Sequence, residues 1–208
     1  MAGALAVFVA ACGGDESSSD SGETTGTYPV KIVTAEFPTK QRLGETTLLH
    51  LGVRNSGRRT VPTLAVTISV GGEEGRNSSL PFGYRDPQPG LAQPDRPVWA
   101  LAANYPKLNG SSERAGAETS SPKTFTFGPL KPGATADAVW KLSAVRSGKW
   151  EVFYGLGAGL GGTAKAETAP GTQAGGSFVT EISDAPPDTE VKDNGEVVEI
   201  GGEMDSGK

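Results

Sequence analysis

The chain reads as all-β: an antiparallel β-sandwich of about seven strands, with a long irregular insertion and flexible termini. Three observations point there. Apolar residues recur with a period of two in several short stretches. Gly 30 and Pro 15 punctuate the 208 residues, so long uninterrupted helices have little room. No window of about 11–18 residues carries an apolar stripe at helical spacing.

The elements follow in order. Tyr28–Phe37 holds a first strand through Val30 and Ile32. In Thr47–Asn55, Leu49, Leu51 and Val53 point one way, and Leu48, His50, Gly52 and Arg54 the other. Residues 55–60, Asn-Ser-Gly-Arg-Arg-Thr, form a turn by composition. Pro62–Val70 alternates again, with Leu64, Val66, Ile68 and Val70 on one face. Ala134–Ser143 presents Ala138, Trp140 and Leu142 together, and Lys149–Leu156 presents Trp150, Val152, Tyr154 and Leu156. Ser147-Gly148 is the turn between those two strands. Phe178, Thr180 and Ile182 mark a last strand.

Between these strands, residues 71–122 read as a Pro-, Gly- and Ser-rich insertion. Long irregular loops are usually functional or unstructured. This one holds Phe82, Tyr84, Arg85, Arg96, Trp99 and Tyr105. Trp, Tyr and Arg dominate binding hot spots, so Tyr84, Arg85, Arg96, Trp99 and Tyr105 are the candidate contact surface. The competing reading has Trp99 packing the loop onto the sandwich. Beyond Ser183, residues 184–208 form an acidic, partly disordered tail. Within it, Asp193-Asn194-Gly195 between Val191 and Val197 suggests a small hairpin.

The N-terminus carries a separate signal. Ala2–Ala11 is apolar but far shorter than the roughly 20 residues that span a bilayer. It fits the apolar core of a signal peptide ending in small residues. Val9-Ala10-Ala11-Cys12 resembles the bacterial lipobox, with Cys12 the only cysteine of the chain. The resemblance implies that residues 1–11 are removed and that the Cys12 sulfur is acylated. No Lys or Arg precedes the apolar run, which expects the true start upstream of Met1. Residues 12–27 carry four acids, no base and no large apolar side chain. Such a segment cannot bury enough surface to fold, so it reads as a tether between anchor and domain.

The strands bear a second resemblance. Leu48–Val70, an apolar strand, an Asn-x-Gly turn and a second alternating strand, is similar to the start of bacterial immunoglobulin-like, adhesion-related (CARDB-like) domains. Leu130-Lys131-Pro132-Gly133 leading to Trp140, then Ser147-Gly148-Lys149-Trp150-Glu151-Val152, resembles the later half of such a domain. Trp150 stands where those domains often have Tyr. The whole chain also resembles uncharacterised lipoproteins of actinobacterial type. These resemblances imply an immunoglobulin-like sandwich over 28–183, held at the extracytoplasmic face of the cell membrane by Cys12. The expected role is non-enzymatic: adhesion, envelope scaffolding or a binding accessory, with an envelope polymer or protein as partner. The alternatives are a ligand-binding lipoprotein that uses the 71–122 insertion and a carboxylate-based envelope hydrolase.

Composition narrows the chemistry. One His, one Cys and two Met cannot supply the roughly four ligands of a Cys/His zinc site, so no metal or other cofactor is expected. A net charge of −5 gives no overall drive toward nucleic acid. Residues 28–180 hold seventeen bases and eleven acids, whereas 181–208 hold nine acids and two bases. No basic cluster is denser than Arg58-Arg59, so this is a mixed surface between acidic tails.

Three motifs lack their context. Residues 157–162 match GxGxxG but precede no amphipathic helix that could present its N-terminus to phosphate; a β–β connection is expected. His50 lies mid-strand opposite the apolar face and reads as a surface or edge histidine. Glu73-Glu74 and the Glu113/Glu118 pair fall in Gly/Ser loops, where no rigid scaffold fixes the spacing a glycosidase needs. No catalytic residue is assigned.

Overall fold

The computed structural model describes residues 24–72, 75–79, 81–84, 97–116, 123–185, 188–195 and 197–200. Every helix or strand among them is a strand. They are β1 (Gly26–Glu36), β2 (Lys40–Arg42), β3 (Thr46–Asn55), β4 (Ala65–Gly72), β5 (Gly75–Ser79), β6 (Phe82–Tyr84), β7 (Trp99–Leu101), β8 (Lys107–Leu108), β9 (Lys123–Thr126), β10 (Thr135–Ala144), β11 (Gly148–Gly157), β12 (Ala164–Ala169), β13 (Thr172–Gln173), β14 (Gly175–Ser183), β15 (Asp188–Val191) and β16 (Val197–Ile200). The long strands are those that the alternation predicts. The additional ones are mostly short pieces at the sheet edges.

Two sheets face each other. In the first, β11 lies between β14 and β4, antiparallel to both. The far edge of β4 is covered end to end, by β9 over Ala65–Ile68 and by β5 over Val70–Gly72. β2 pairs in parallel on the outside of β14. In the second sheet β3 lies between β1 and β10, and β10 carries β7 and β8 on its other edge. β1 belongs to both sheets. Gly26–Pro29 pairs in parallel with β12, and Val30–Glu36 then runs antiparallel to β3. The switch falls at Pro29, which has no backbone N–H to offer a ladder.

The core lies between the sheets and follows the predicted phases. Leu49, Leu51 and Val53 of β3 and Ala138, Trp140 and Leu142 of β10 face Val66, Ile68 and Val70 of β4 and Trp150, Val152, Tyr154 and Leu156 of β11; all are buried. Two aromatic chains run through it. One links Trp99, Phe37, Phe178 and Tyr154, with centroids 5.4, 6.0 and 5.1 Å apart. The other links Phe82, Phe125, Trp140 and Phe127 at 6.3, 6.1 and 5.6 Å.

The Asn55 turn is more than a chain reversal. Its buried side chain donates Nδ2 to the carbonyls of Arg59 and Leu130, both at 2.8 Å, and Oδ1 accepts from the Gly57 amide at 2.9 Å. One amide thus closes the turn and ties it to the segment 75 residues further on. The Asn-Gly turn signal of the tail likewise sits at a hairpin, where β15 pairs with β16 and Val191 opposes Val197.

The insertion is built into the sandwich. Its described residues supply β5–β8, and Phe82, Val98, Trp99 and Leu101 are buried in the common core. β7 pairs antiparallel with β10, Trp99 opposite Ala144 and Leu101 opposite Leu142, and β6 pairs in parallel with β7. These contacts favour the competing reading of the sequence, in which Trp99 packs the segment onto the sandwich. Strands of two or three residues are too short to show a period, and their partners are distant in sequence.

Candidate functional site

The insertion does not present its tryptophan to solvent. Trp99 is 0% exposed, which corrects its assignment to a contact surface. Its indole Nε1 donates to Gln41 Oε1 at 2.8 Å, and Gln41 Nε2 donates to the Pro38 carbonyl at 3.3 Å. The same carbonyl accepts from Thr180 Oγ1 at 2.8 Å. Trp99 therefore locks the β1–β2 crossover to β7 and β14. Tyr105 is half-buried against the core, with Lys107 Nζ 5.0 Å from its ring centroid. The backbone of Tyr84, in β6, pairs with Leu101 of β7. Arg85, Arg96 and Cys12 lie outside the described residues. The five predicted residues are thus not brought together by what the structure describes.

Arg59, beside the Asn55 turn, and Arg146 are engaged in the fold. Arg59 donates Nη2 to the Thr27 carbonyl at 2.9 Å and stacks 4.6 Å over Tyr28. Arg146 stacks 4.8 Å over Trp150. His50 is half-buried on the outer side of β3, as the alternation predicts, and lines a hollow of about 600 Å³ with Leu48 and Val179. No group of three or more His, Cys, Asp or Glu side chains among the described residues could hold a metal ion.

The larger concavity, about 870 Å³, lies on the outer face of the first sheet. It exists because β11 changes character midway. Its inward positions are Trp150, Val152, Tyr154 and Leu156, while two successive outward positions, Gly155 and Gly157, carry no side chain. Gly175 of β14 lies directly opposite Gly155, but a Cβ there would come within 2.6 Å of the Tyr154 carbonyl oxygen, and one at Gly157 within 2.9 Å of the Gly159 carbonyl oxygen. Thr67, Ser69 and Thr124 form one side, Lys165, Glu167 and Gln173 the other. Phe153 and Leu160 add apolar surface, Leu160 being 52% exposed at the rim. Thr67 and Thr124 join their hydroxyls at 2.8 Å, and Glu167 accepts from the Gly171 amide at 2.9 Å. A Cβ added at Gly155 or Gly162 would meet no atom within 4 Å. Burial pushes the phenol of Tyr154, beneath this floor, above its ordinary value of 10.0.

The groove has polar hydrogen-bonding groups, apolar contacts and one charge of each sign, a set suited to holding a ligand. Residues 157–162, the GxGxxG match, form its rim and lead into the strand β12, as expected of a β–β connection. The pattern that marks the groove was present in the sequence as glycine on the outward phase of a strand whose inward phase is large and apolar. Read only for its core face, that strand gives no hint of it.

The chain matches no protein-family model and no curated protein sequence. Its likenesses are to solved structures. It is similar to E. coli alpha-2-macroglobulin in its native conformation, at 16% identity over 78% of this chain and 7% of that one, with a TM-score of 0.41. It is similar to AvmM, which catalyses macrocyclization in alchivemycin A biosynthesis, at 12% identity over 76% and 91% of the two chains and a TM-score of 0.42. It is also similar to an ASH/PapD-like domain of human CEP192, at 14% identity over 76% and 88% and a TM-score of 0.36. The all-β sandwich assignment rests on the strand pairing itself.

Proposed function

We propose that this chain is a lipid-anchored protein of the bacterial cell envelope, held at the extracytoplasmic face of the membrane through Cys12, and that it works by binding and not by catalysis. The observation that carries the reading is the run Val9-Ala10-Ala11-Cys12: an apolar stretch and small residues ending at the only cysteine. The acidic, Gly- and Ser-rich segment that follows would leave the domain free of the bilayer. About fifteen flexible residues have a root-mean-square span of roughly 20 Å. Two or more acyl chains anchor stably where one does not, since each buried methylene contributes about 0.8 kcal/mol. The CARDB-like resemblance of Leu48–Val70 and Leu130–Val152 favours an adhesion or scaffold role within this reading.

Metabolic labelling with a palmitate analogue tests the anchor. The wild-type chain takes up label and partitions into the detergent phase, and Cys12→Ser does neither. Equal labelling of the two would overturn the lipoprotein reading.

A second reading, a ligand-binding lipoprotein, is favoured by the groove over Gly155 and Gly157. In this form the site lies on the outer face of the first sheet and not on the insertion, because Trp99 and Leu101 are buried in the core.

A further inference from the structure

We propose that the groove on the outer face of the first sheet binds a neutral glycan, with the uncharged sugar chain laid over Phe153 and the glycine floor. This deepens the ligand-binding reading and names its ligand class.

The floor is closed to an added β-strand. Gly155 is paired on both sides, with Gly175 and Thr67, and Thr67 is paired with Gly155 and Thr124. Peptides recognised by strand addition need an unpaired sheet edge, and this groove lies on a face. Recognition here falls to side chains. Those lining the groove include the Thr67–Thr124 hydroxyl pair, the hydroxyl of Ser69, the amide of Gln173, the ring of Phe153 and the exposed Leu160. Neutral donors and acceptors beside an apolar surface suit a ligand with many hydroxyls and C–H faces.

Charge points the same way. Lys165 and Glu167 stand two residues apart on β12 in the same wall. A polyanion would meet Glu167 without a cluster of cations to offset it, and a polycation would meet Lys165. The floor also leaves room. Gly155 and Gly162 border open space, so close approach of a ring to the sheet is unobstructed there. At about 870 Å³ the volume falls within the roughly 300–1,000 Å³ of ordinary ligand sites.

The test is affinity electrophoresis of the full chain carrying Cys12→Ser, so that no acyl chain contributes and the outcome is independent of the anchor. Gels contain dextran, mannan or arabinogalactan as neutral polymers, and hyaluronate or polyglutamate as anionic ones. At least one neutral polymer should retard the chain, and Gly155→Val, which fills the groove, should abolish the shift while keeping the melting midpoint. Phe153→Ala, a truncation that adds no bulk, should weaken the same shift severalfold and serves if Gly155→Val does not fold. Retardation by the anionic polymers alone, by none of the five, or equally in both variants would overturn the proposal. Loss of acyl labelling at Cys12 would leave it standing, because the two readouts are separate.

Discussion

Trp99 and Gly155 lie in regions that put opposite demands on their residues. Around Trp99 everything is filled: the ring is fully buried, stacks edge-on with Phe37 and satisfies its N–H on Gln41. Around Gly155 the sheet is bare, and a side chain there would project into open space. The difference teaches where this fold holds its stability and where it keeps spare room. A segment that reads as a functional loop completes the core, and a strand that reads as core carries the groove on its other face.

The contrast is sharpest in the effect of removing or adding bulk. Trp99→Ala should cost about 3–5 kcal/mol, as truncation of buried large side chains does. Against a total of roughly 5–15 kcal/mol that is a large shift in denaturant midpoint. Trp150→Ala, on the inward phase of β11, should fall in the same range. A midpoint near wild type for Trp99→Ala would make the corner peripheral and erase the contrast.

The next effect is polar. Gln41→Leu strands the Trp99 N–H in a buried site and should cost about 1–3 kcal/mol. Asn55→Ala removes both donors to the Arg59 and Leu130 carbonyls and should cost a similar amount, read by equilibrium denaturation. Among the described residues Trp140 Nε1 and Trp150 Nε1 are buried without a hydrogen-bond partner, so Gln41 is what sets the Trp99 corner apart.

At the small end, Gly155→Val should leave stability within about 0.5 kcal/mol of wild type, the ordinary range for surface changes. Valine favours strands, and this glycine does not occupy a positive-φ conformation. His50→Ala should also stay within about 0.5 kcal/mol. A loss above 2 kcal/mol for Gly155→Val would mean that the floor is packed and not open.

These expectations also show which parts of the molecule could be read in advance. The phases of β3, β4, β10 and β11 were legible because eight to ten residues of alternation define a face. Asn55 was legible as a turn residue, but not as the buried amide that reaches Leu130, because that partner is distant in the chain. β6 and β7, three residues each, are too short for a period to declare itself, and the burial of Trp99 depends on pairing with β10, more than 40 residues on. The groove depends on which outward residues are absent, a signal that a search for apolar side chains passes over.

The most direct test of this contrast is equilibrium denaturation of a variant in which Ser79–Ser120 is replaced by a short Gly/Ser loop. Loop length alone changes closure entropy little, so any large effect must come from lost packing. The replacement removes Phe82, Val98, Trp99 and Leu101 from the core and uncovers an edge of β10. The account predicts that the cooperative transition of the wild-type chain is lost. A cooperative transition with a midpoint matching wild type would contradict it and return the segment to a peripheral loop.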